Sequence, residues 1–247
     1  MLREERLDFI INQLKSSQSV KLAELSEALQ VSEDTIRRDI EVLAKNGLLT
    51  KVRGGAIPHS PNSHNFGERV HVSEKEKIAI ANKALSLIKP GDTILLDGGT
   101  TTYTLAGLLD MPLTIITNNV PAAALLAGRK DMEVVLTGGR ILPDCQATVG
   151  AEAIRTLQQL HVDTCFIGIC SLHHEIGVST INYLESDMKR AMIGCADRIV
   201  AITKHDKIGT AEPYKVCPIE TLHTIVTEIE PDSYIFSPYR EKGIQVL

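Results

Sequence analysis

Two adjacent arginines, Arg37 and Arg38, stand on a segment whose apolar residues recur as Ile36, Ile40 and Leu43. That i, i+4, i+7 spacing predicts a helix with one buried face. At about 100° per residue, turning those three inward points Arg38 and Lys45 outward and leaves Thr35 and Arg37 on the flanks. A forked guanidinium so placed can bond a base edge or a phosphate, so the helix is read as one that enters a DNA major groove. Lys51 and Arg53, just ahead of Gly54-Gly55, suit backbone phosphates or the minor groove. Asp39, a carboxylate that phosphate would repel, is read as holding an arginine in place. By itself an Arg-Arg pair would be expected only to solvate a helix face; the helices and hairpin around it favour the DNA reading.

A second set of residues suits phosphate. Asp97-Gly98-Gly99-Thr100-Thr101-Thr102 lies between a predicted strand and a predicted helix. The glycines allow a sharp turn, the following amides point at whatever sits at the helix N-terminus, and the hydroxyls add donors. The same residues also fit a tight turn whose hydroxyls cap the helix. Two more polar strand ends, Thr117-Asn118-Asn119 and Thr137-Gly138-Gly139-Arg140, favour the cradle, because open α/β sheets collect ligands at the carboxyl ends of their strands. Lys189 and Lys207 are expected to add charge from across that crevice. Glu185 and Lys189, at i and i+4, fit a plain surface ion pair as well.

The elements that must position these groups follow from periodicity. Leu7, Ile10, Ile11 and Leu14 mark one helix, and Leu22, Leu25 and Leu29 a second. Ser32 is a good N-cap for the third, which should stop near Gly47. Leu48 to Val52 is strand-like and Gly54-Gly55 can turn it back, which predicts a β wing. Residues 58–72 hold Pro58, Pro61, Gly67 and three histidines, His59, His64 and His71, at no metal-ligand spacing; they read as a linker. From Ser73 onward helical and short apolar stretches alternate, with strands expected at Thr93–Asp97, Leu113–Thr117, Glu133–Leu136, Thr164–Ile169, Ile199–Ile202, Thr224–Thr227 and Ile244–Val246. That pattern predicts a buried, mostly parallel sheet covered on both faces. The fold class is therefore α/β: a winged helix-turn-helix domain over 1–57, a linker over 58–72 and a larger α/β domain over 73–247.

Composition narrows the function. A chain of 247 residues is long for one core and comfortable for two. It carries a net charge of −5, which at first argues against nucleic acid. Residues 1–57, however, balance nine Lys or Arg against nine Asp or Glu. Within 35–55, Arg37, Arg38, Lys45, Lys51 and Arg53 face only Asp39 and Glu41, so a small basic patch sits on an acidic protein. Mean hydropathy is +0.02 and no stretch approaches the ~20 apolar residues of a bilayer span. The charged start, Met1 to Arg6, does not read as a secretory signal, so a cytoplasmic protein without membrane contact is expected. Five cysteines with no C-x-x-C pair read as reduced, mostly buried thiols; neither a metal nor a cofactor is expected.

The run Val31-Ser32-Glu33-Asp34-Thr35-Ile36-Arg37-Arg38-Asp39-Ile40, followed by Lys51-Val52-Arg53-Gly54-Gly55-Ala56, resembles the DeoR-family signature V-S-x-x-T-[IV]-R-R-D-[IL] with its G-G-A wing. The resemblance implies that Thr35, Arg37, Arg38 and Arg53 contact double-stranded operator DNA. Asp97 to Thr102, Thr117 to Asn119, Gly138-Gly139, Gly150, Asp163 to Gly168, Glu185 with Lys189-Arg190, and Lys207-Ile208-Gly209 resemble the family's sensor domain. That implies a fold similar to ribose-5-phosphate isomerase and binding of a phosphorylated sugar or related metabolite. One departure stands out: where the family pattern is D-x-S-K-F-G, this chain reads Lys204-His205-Asp206-Lys207-Ile208-Gly209.

The expectation is a metabolite-controlled repressor acting as a homo-oligomer, since one helix reads only a short half-site. The alternative is a phosphosugar isomerase with a DNA-binding extension, which would need an acid or base beside the sugar. In related isomerases an acidic motif follows the strand matching Thr164–Ile169; here Cys170-Ser171-Leu172 follows, with His173-His174 the available replacements. A purely structural DNA binder would leave the crevice unexplained.

Overall fold

The structure, a computed structural model, describes residues 2–17, 19–45, 48–57 and 65–247. The first domain runs α1 (Arg3–Ser16), β1 (Val20–Lys21), α2 (Leu22–Leu29), α3 (Glu33–Lys45), β2 (Thr50–Val52) and β3 (Gly55–Ile57). Ile10, Leu14, Leu25, Leu29, Ile36, Ile40 and Leu43 are buried in one core, with Leu7, Ile11 and Leu22 at its edge. The turn into α3 is set by Gln30, at a left-handed φ of 52°, and by Ser32, whose Oγ accepts from the Thr35 amide at 3.3 Å. The expected stop near Gly47 lies outside the described residues. β1, which periodicity did not announce, pairs with β3 to make the wing three-stranded. Gly55 permits that pairing, because a Cβ there would stand 1.9 Å from the Val20 carbonyl oxygen.

Of the segment read as a linker, residues 58–64 lie outside the described residues, and Phe66–His71 forms a short helix, α4. The Asn65 side chain caps it, accepting from the Glu68 amide at 3.0 Å. Phe66 is buried, edge-on to Tyr103 with ring centroids 5.9 Å apart. The apolar anchor is a single residue, too little to give a period.

The larger domain continues with α5 (Glu74–Leu85), β4 (Thr93–Leu96), α6 (Thr100–Leu108), β5 (Leu113–Thr117), α7 (Val120–Leu126) and β6 (Met132–Leu136). A hairpin, β7 (Arg140–Leu142) and β8 (Ala147–Val149), leads to α8 (Ala151–Gln158) and β9 (Val162–Gly168). β10 (Ser171–His173), β11 (Gly177–Thr180), α9 (Tyr183–Gly194), β12 (Ala196–Ile202), β13 (Tyr214–Cys217), β14 (Thr224–Val226), α10 (Ser237–Arg240) and β15 (Gln245–Val246) complete it.

Seven strands form one parallel sheet in the order β15-β14-β12-β9-β4-β5-β6. Its strands read as unbroken apolar runs because both faces are covered. Ile94, Leu96 and Phe166 face the core built with α5, α6 and α7, while Leu95, Cys165 and Ile167 face the core built with α8 and α9. β10, β11 and β13 make a separate antiparallel sheet, and β7 pairs antiparallel with β8; both depart from the parallel pattern. The chain enters at β4, steps outward through β5 to β6, and returns on the other side of β4 as β9. The order thus reverses between β4 and β9, where a sheet of this kind opens a crevice at its carboxyl edge. Among the described residues, no helix is long and apolar enough to cross a membrane.

Candidate functional site

On α3, burial of Ile36, Asp39, Ile40 and Leu43 leaves Arg37 and Arg38 exposed and Thr35 half-buried. Thr35 closes the helix N-terminus, its Oγ1 2.9 Å from Ser32 Oγ. Arg37 Nη1 lies 3.1 Å from Asp34 Oδ1, whereas Arg38 has no hydrogen bond or ion pair to another described residue. Arg38 shares a shallow cleft with Arg3, Arg6, Thr35 and Asp39. Asp39 does hold an arginine, though not a neighbour on its own helix: its Oδ2 accepts from Arg6 Nε of α1 at 2.8 Å, and Arg3 Nε lies 3.5 Å from its Oδ1. The pair ties α1 to α3 and keeps the carboxylate inside. On the wing, Lys51 Nζ is 2.5 Å from Glu41 Oε1 of α3, and that ammonium holds Glu41 below its usual pKa. Arg53 is exposed at the hairpin turn.

The crevice between β4 and β9 contains a cavity. Gly98, Gly99, Thr100 and Thr101 form one side, and Gly168, Ile169 and Cys170 the facing strand end. Lys204, Asp206 and Lys207 follow β12, Glu185 and Lys189 come from α9, and Arg69, Val72 and Lys77 come from α4 and α5. Asp97 frames the loop. Its Oδ1 accepts from the Gly98 amide at 2.7 Å and its Oδ2 from the Gly168 amide at 2.9 Å. Oδ2 also takes Lys189 Nζ, which donates to the Gly168 carbonyl at 2.8 Å as well.

Lys189 is therefore no surface partner of Glu185. Burial would lower its pKa, but the adjacent Asp97 carboxylate, with Cys170 and Glu185 adding to it, leaves the pKa raised. Thr102 is equally committed, donating to the carbonyls of Asp97 at 2.6 Å and Gly99 at 2.8 Å. The residues of the loop divide: Asp97 and Thr102 build the turn, while Gly98 to Thr101 line the cavity.

Five other expected residues stand elsewhere. Thr117 Oγ1 donates to the Leu96 carbonyl at 2.6 Å, Asn118 Nδ2 to the Thr148 carbonyl at 3.1 Å, and Asn119 caps α7 while donating to the Gly99 carbonyl at 3.0 Å. Gly138 and Gly139 turn the chain with φ of 72° and 96°, and a Cβ on Gly139 would lie 2.6 Å from the Val149 carbonyl oxygen. None of the five lines the cavity. They follow β5 and β6, on the side of β4 away from the reversal, and strand order is not visible in a sequence.

Lys207, expected at the crevice, does line the cavity, joined by Arg69, Lys77 and Lys204, which the sequence reading did not place in the site. Lys77 is buried; desolvation first, then the cations Lys204, Arg69 and Lys207, push its pKa down to about 8. Lys207 is lowered by burial too, with Arg69 and Lys204 adding to the effect. Lys204 Nζ sits 2.5 Å from Asp206 Oδ2, so where this chain departs from the family pattern it keeps an acid and a base in contact. His173 and His174 do not line the cavity. No group of described residues has three or more side chains placed to hold a metal ion.

Residues 6–62 match the model of the DeoR-like helix-turn-helix domain, and residues 72–229 that of the DeoR C-terminal sensor domain. The uncharacterized HTH-type transcriptional regulator YulB of Bacillus subtilis is 31% identical over 100% of this chain and 96% of its own length. The HTH-type transcriptional repressor GlcR of the same organism is 30% identical, with the same coverage. A solved ribose 5-phosphate isomerase A from Methanocaldococcus jannaschii shares 18% identity over 54% of each chain, with a TM-score of 0.39. Signature helix, wing and sensor domain are thus matched along almost the whole chain, which belongs to the DeoR family of helix-turn-helix transcriptional regulators.

Proposed function

We propose that this regulator is a repressor that binds double-stranded operator DNA as a homo-oligomer and releases it when a phosphorylated small molecule occupies the cavity between β4 and β9. The observation that carries the effector half is the convergence of Arg69, Lys77, Lys204 and Lys207 on the cavity that also receives the N-terminus of α6. Lys77 and Lys207, whose pKa values burial and the neighbouring cations depress, gain most from a dianion, and a helix N-terminus adds aligned amides. The exposed Arg37, Arg38 and Arg53, with Thr35 at the helix start, support the operator half. The repressor sense agrees with the name of the relative GlcR.

The reading assigns no catalysis to the cavity. Its carboxylates, Glu185 and Asp206, come from α9 and the loop after β12, and the His173 ring is occupied with its own hairpin. One experiment addresses both halves. Arg38→Ala should weaken operator binding by about 1–3 kcal/mol if it reads a base, or lower the salt slope on every sequence if it reads a phosphate, with effector binding retained. The same preparation should not interconvert aldose and ketose phosphates. Unchanged affinity in both Arg37→Ala and Arg38→Ala at matched salt would remove α3 from DNA reading, and turnover abolished by Glu185→Gln would make the chain an enzyme.

A further inference from the structure

The span between the two family matches, residues 63–71, includes α4, and α4 supplies a wall of the cavity. This segment is the covalent connection between the DNA-binding and sensor domains. It is fastened by groups of the cavity itself. Lys77 Nζ donates to the carbonyls of Arg69 and Val70 at the end of α4, and Lys204 Nζ lies 3.2 Å from Ser73 Oγ. Ser73, the next residue but one after α4, holds a left-handed φ of 53°, a conformation that a non-glycine residue adopts at some cost. Phe66 anchors the other end, its amide donating to the Asp144 carbonyl at 2.7 Å. Arg69 faces the cavity with its Nε buried and without a hydrogen-bond partner among the described residues.

We infer that Arg69 is a direct ligand of the effector's anionic group, and that α4 is the element through which occupancy of the cavity is transmitted to the DNA-binding domain. The inference rests on the effector reading above and goes beyond it by assigning the signal's exit. An anion among these cations is bonded by the Arg69 fork and by the remaining N–H donors of Lys77 and Lys204, which keep their bonds to the segment. Filling the cavity therefore changes what holds α4, and a ligand shifts a conformational equilibrium only through such differential contacts. The anion adds an Arg69 contact that the empty cavity lacks, so the occupied state is the one with α4 more firmly seated.

The test uses the full chain and inorganic phosphate, the smallest probe with the required chemistry. Wild type should gain thermal stability with phosphate, and its amides at 66–73 should exchange more slowly. Arg69→Ala should bind phosphate at least about tenfold more weakly, the scale of one lost charge-assisted hydrogen bond, and should lose the slowing. Arg69→Lys, which keeps the charge but not the fork, should fall between them and guards against a folding defect in the alanine variant. Phe66→Ala, which removes no side chain of the cavity lining, should weaken binding by misplacing Arg69. Lys207→Met separates the two readings. If wild type shows no phosphate response, the effector site and this inference fall together. If wild type responds, Lys207→Met does not, and Arg69→Ala responds as wild type does in both affinity and exchange, the effector site stands and the role of Arg69 and α4 is wrong.

Discussion

His173 is 5% exposed, and its Nδ1 accepts from the amides of Glu175 and Ile176 at 3.2 and 3.4 Å. Both bonds require an unprotonated Nδ1. Burial first, then the neighbouring His174, lowers the pKa of the ring from 6.5 to about 4. Between those values the unfolded chain binds more protons at this site than the folded one, so stability falls as pH drops from 6.5 toward 4. The window amounts to up to about 3 kcal/mol. His173→Asn, which retains an acceptor but no titration, should lose less stability across that range than wild type. Denaturant melts at pH 6.5 and 4.5 measure the difference, and parallel losses in the two proteins would mean that the ring is not held neutral. In sequence His173-His174 could replace the missing acid, although adjacent loop histidines are more often solvent-exposed. What decides against both is the three-residue turn His174–Ile176, two of whose amides occupy the ring nitrogen of the buried His173, and residue type does not reveal that.

Periodicity carries far at the level of elements. The inward residues of α1, α2 and α3 are the leucines and isoleucines that spacing selects, and each expected strand of the large sheet overlaps an observed one. β1 is only two residues long and has no pattern to display; it exists because Gly55 lets the Val20 backbone approach β3. Gly55→Val is accordingly expected to expel β1 from the wing and cost several kcal/mol, as overpacking against a rigid backbone does. Operator affinity should drop at least tenfold while the phosphate response of the sensor domain is kept. Full operator binding by this variant would show that the wing tolerates a two-stranded form. Strand order was the other gap. Asp97, Thr117 and Thr137 all end parallel strands, and nothing local distinguishes them, yet only the loop after Asp97 borders the reversal. Cross-sheet pairing, a long-range property, separates the cavity-facing loop from the segments holding Asn118, Asn119, Gly138 and Gly139.

Across the whole molecule, two routes join the DNA-reading surface to the cavity. One is α4. The other is a hydrogen bond of 2.8 Å from Thr50 Oγ1 of the wing to the Ala211 carbonyl, four residues beyond Lys207. The first is fastened by cavity cations and the second lies a few residues along the chain from one, so a group that competes with the effector's charge should silence the sensor without touching the DNA surface. Thr100 suits this test: it is 7% exposed, opens α6 and lines the cavity. In Thr100→Glu the new carboxylate occupies the space beside the α6 amides and satisfies the cations in place of a phosphate, while its bulk excludes the rest of the effector. Melting shifts and operator release should be measured with a panel of phosphorylated sugars and their unphosphorylated parents. Wild type should respond to phosphorylated compounds and not to the parents; folded Thr100→Glu should bind operator within about twofold of wild type and respond to neither, a state of permanent repression. Equal responses to both classes in wild type would separate the cavity from phosphate recognition. Operator release that persists in the folded variant would place the effector away from the α6 N-terminus, and a variant that releases operator with no ligand added would show that a fixed charge at this position mimics occupancy instead of blocking it.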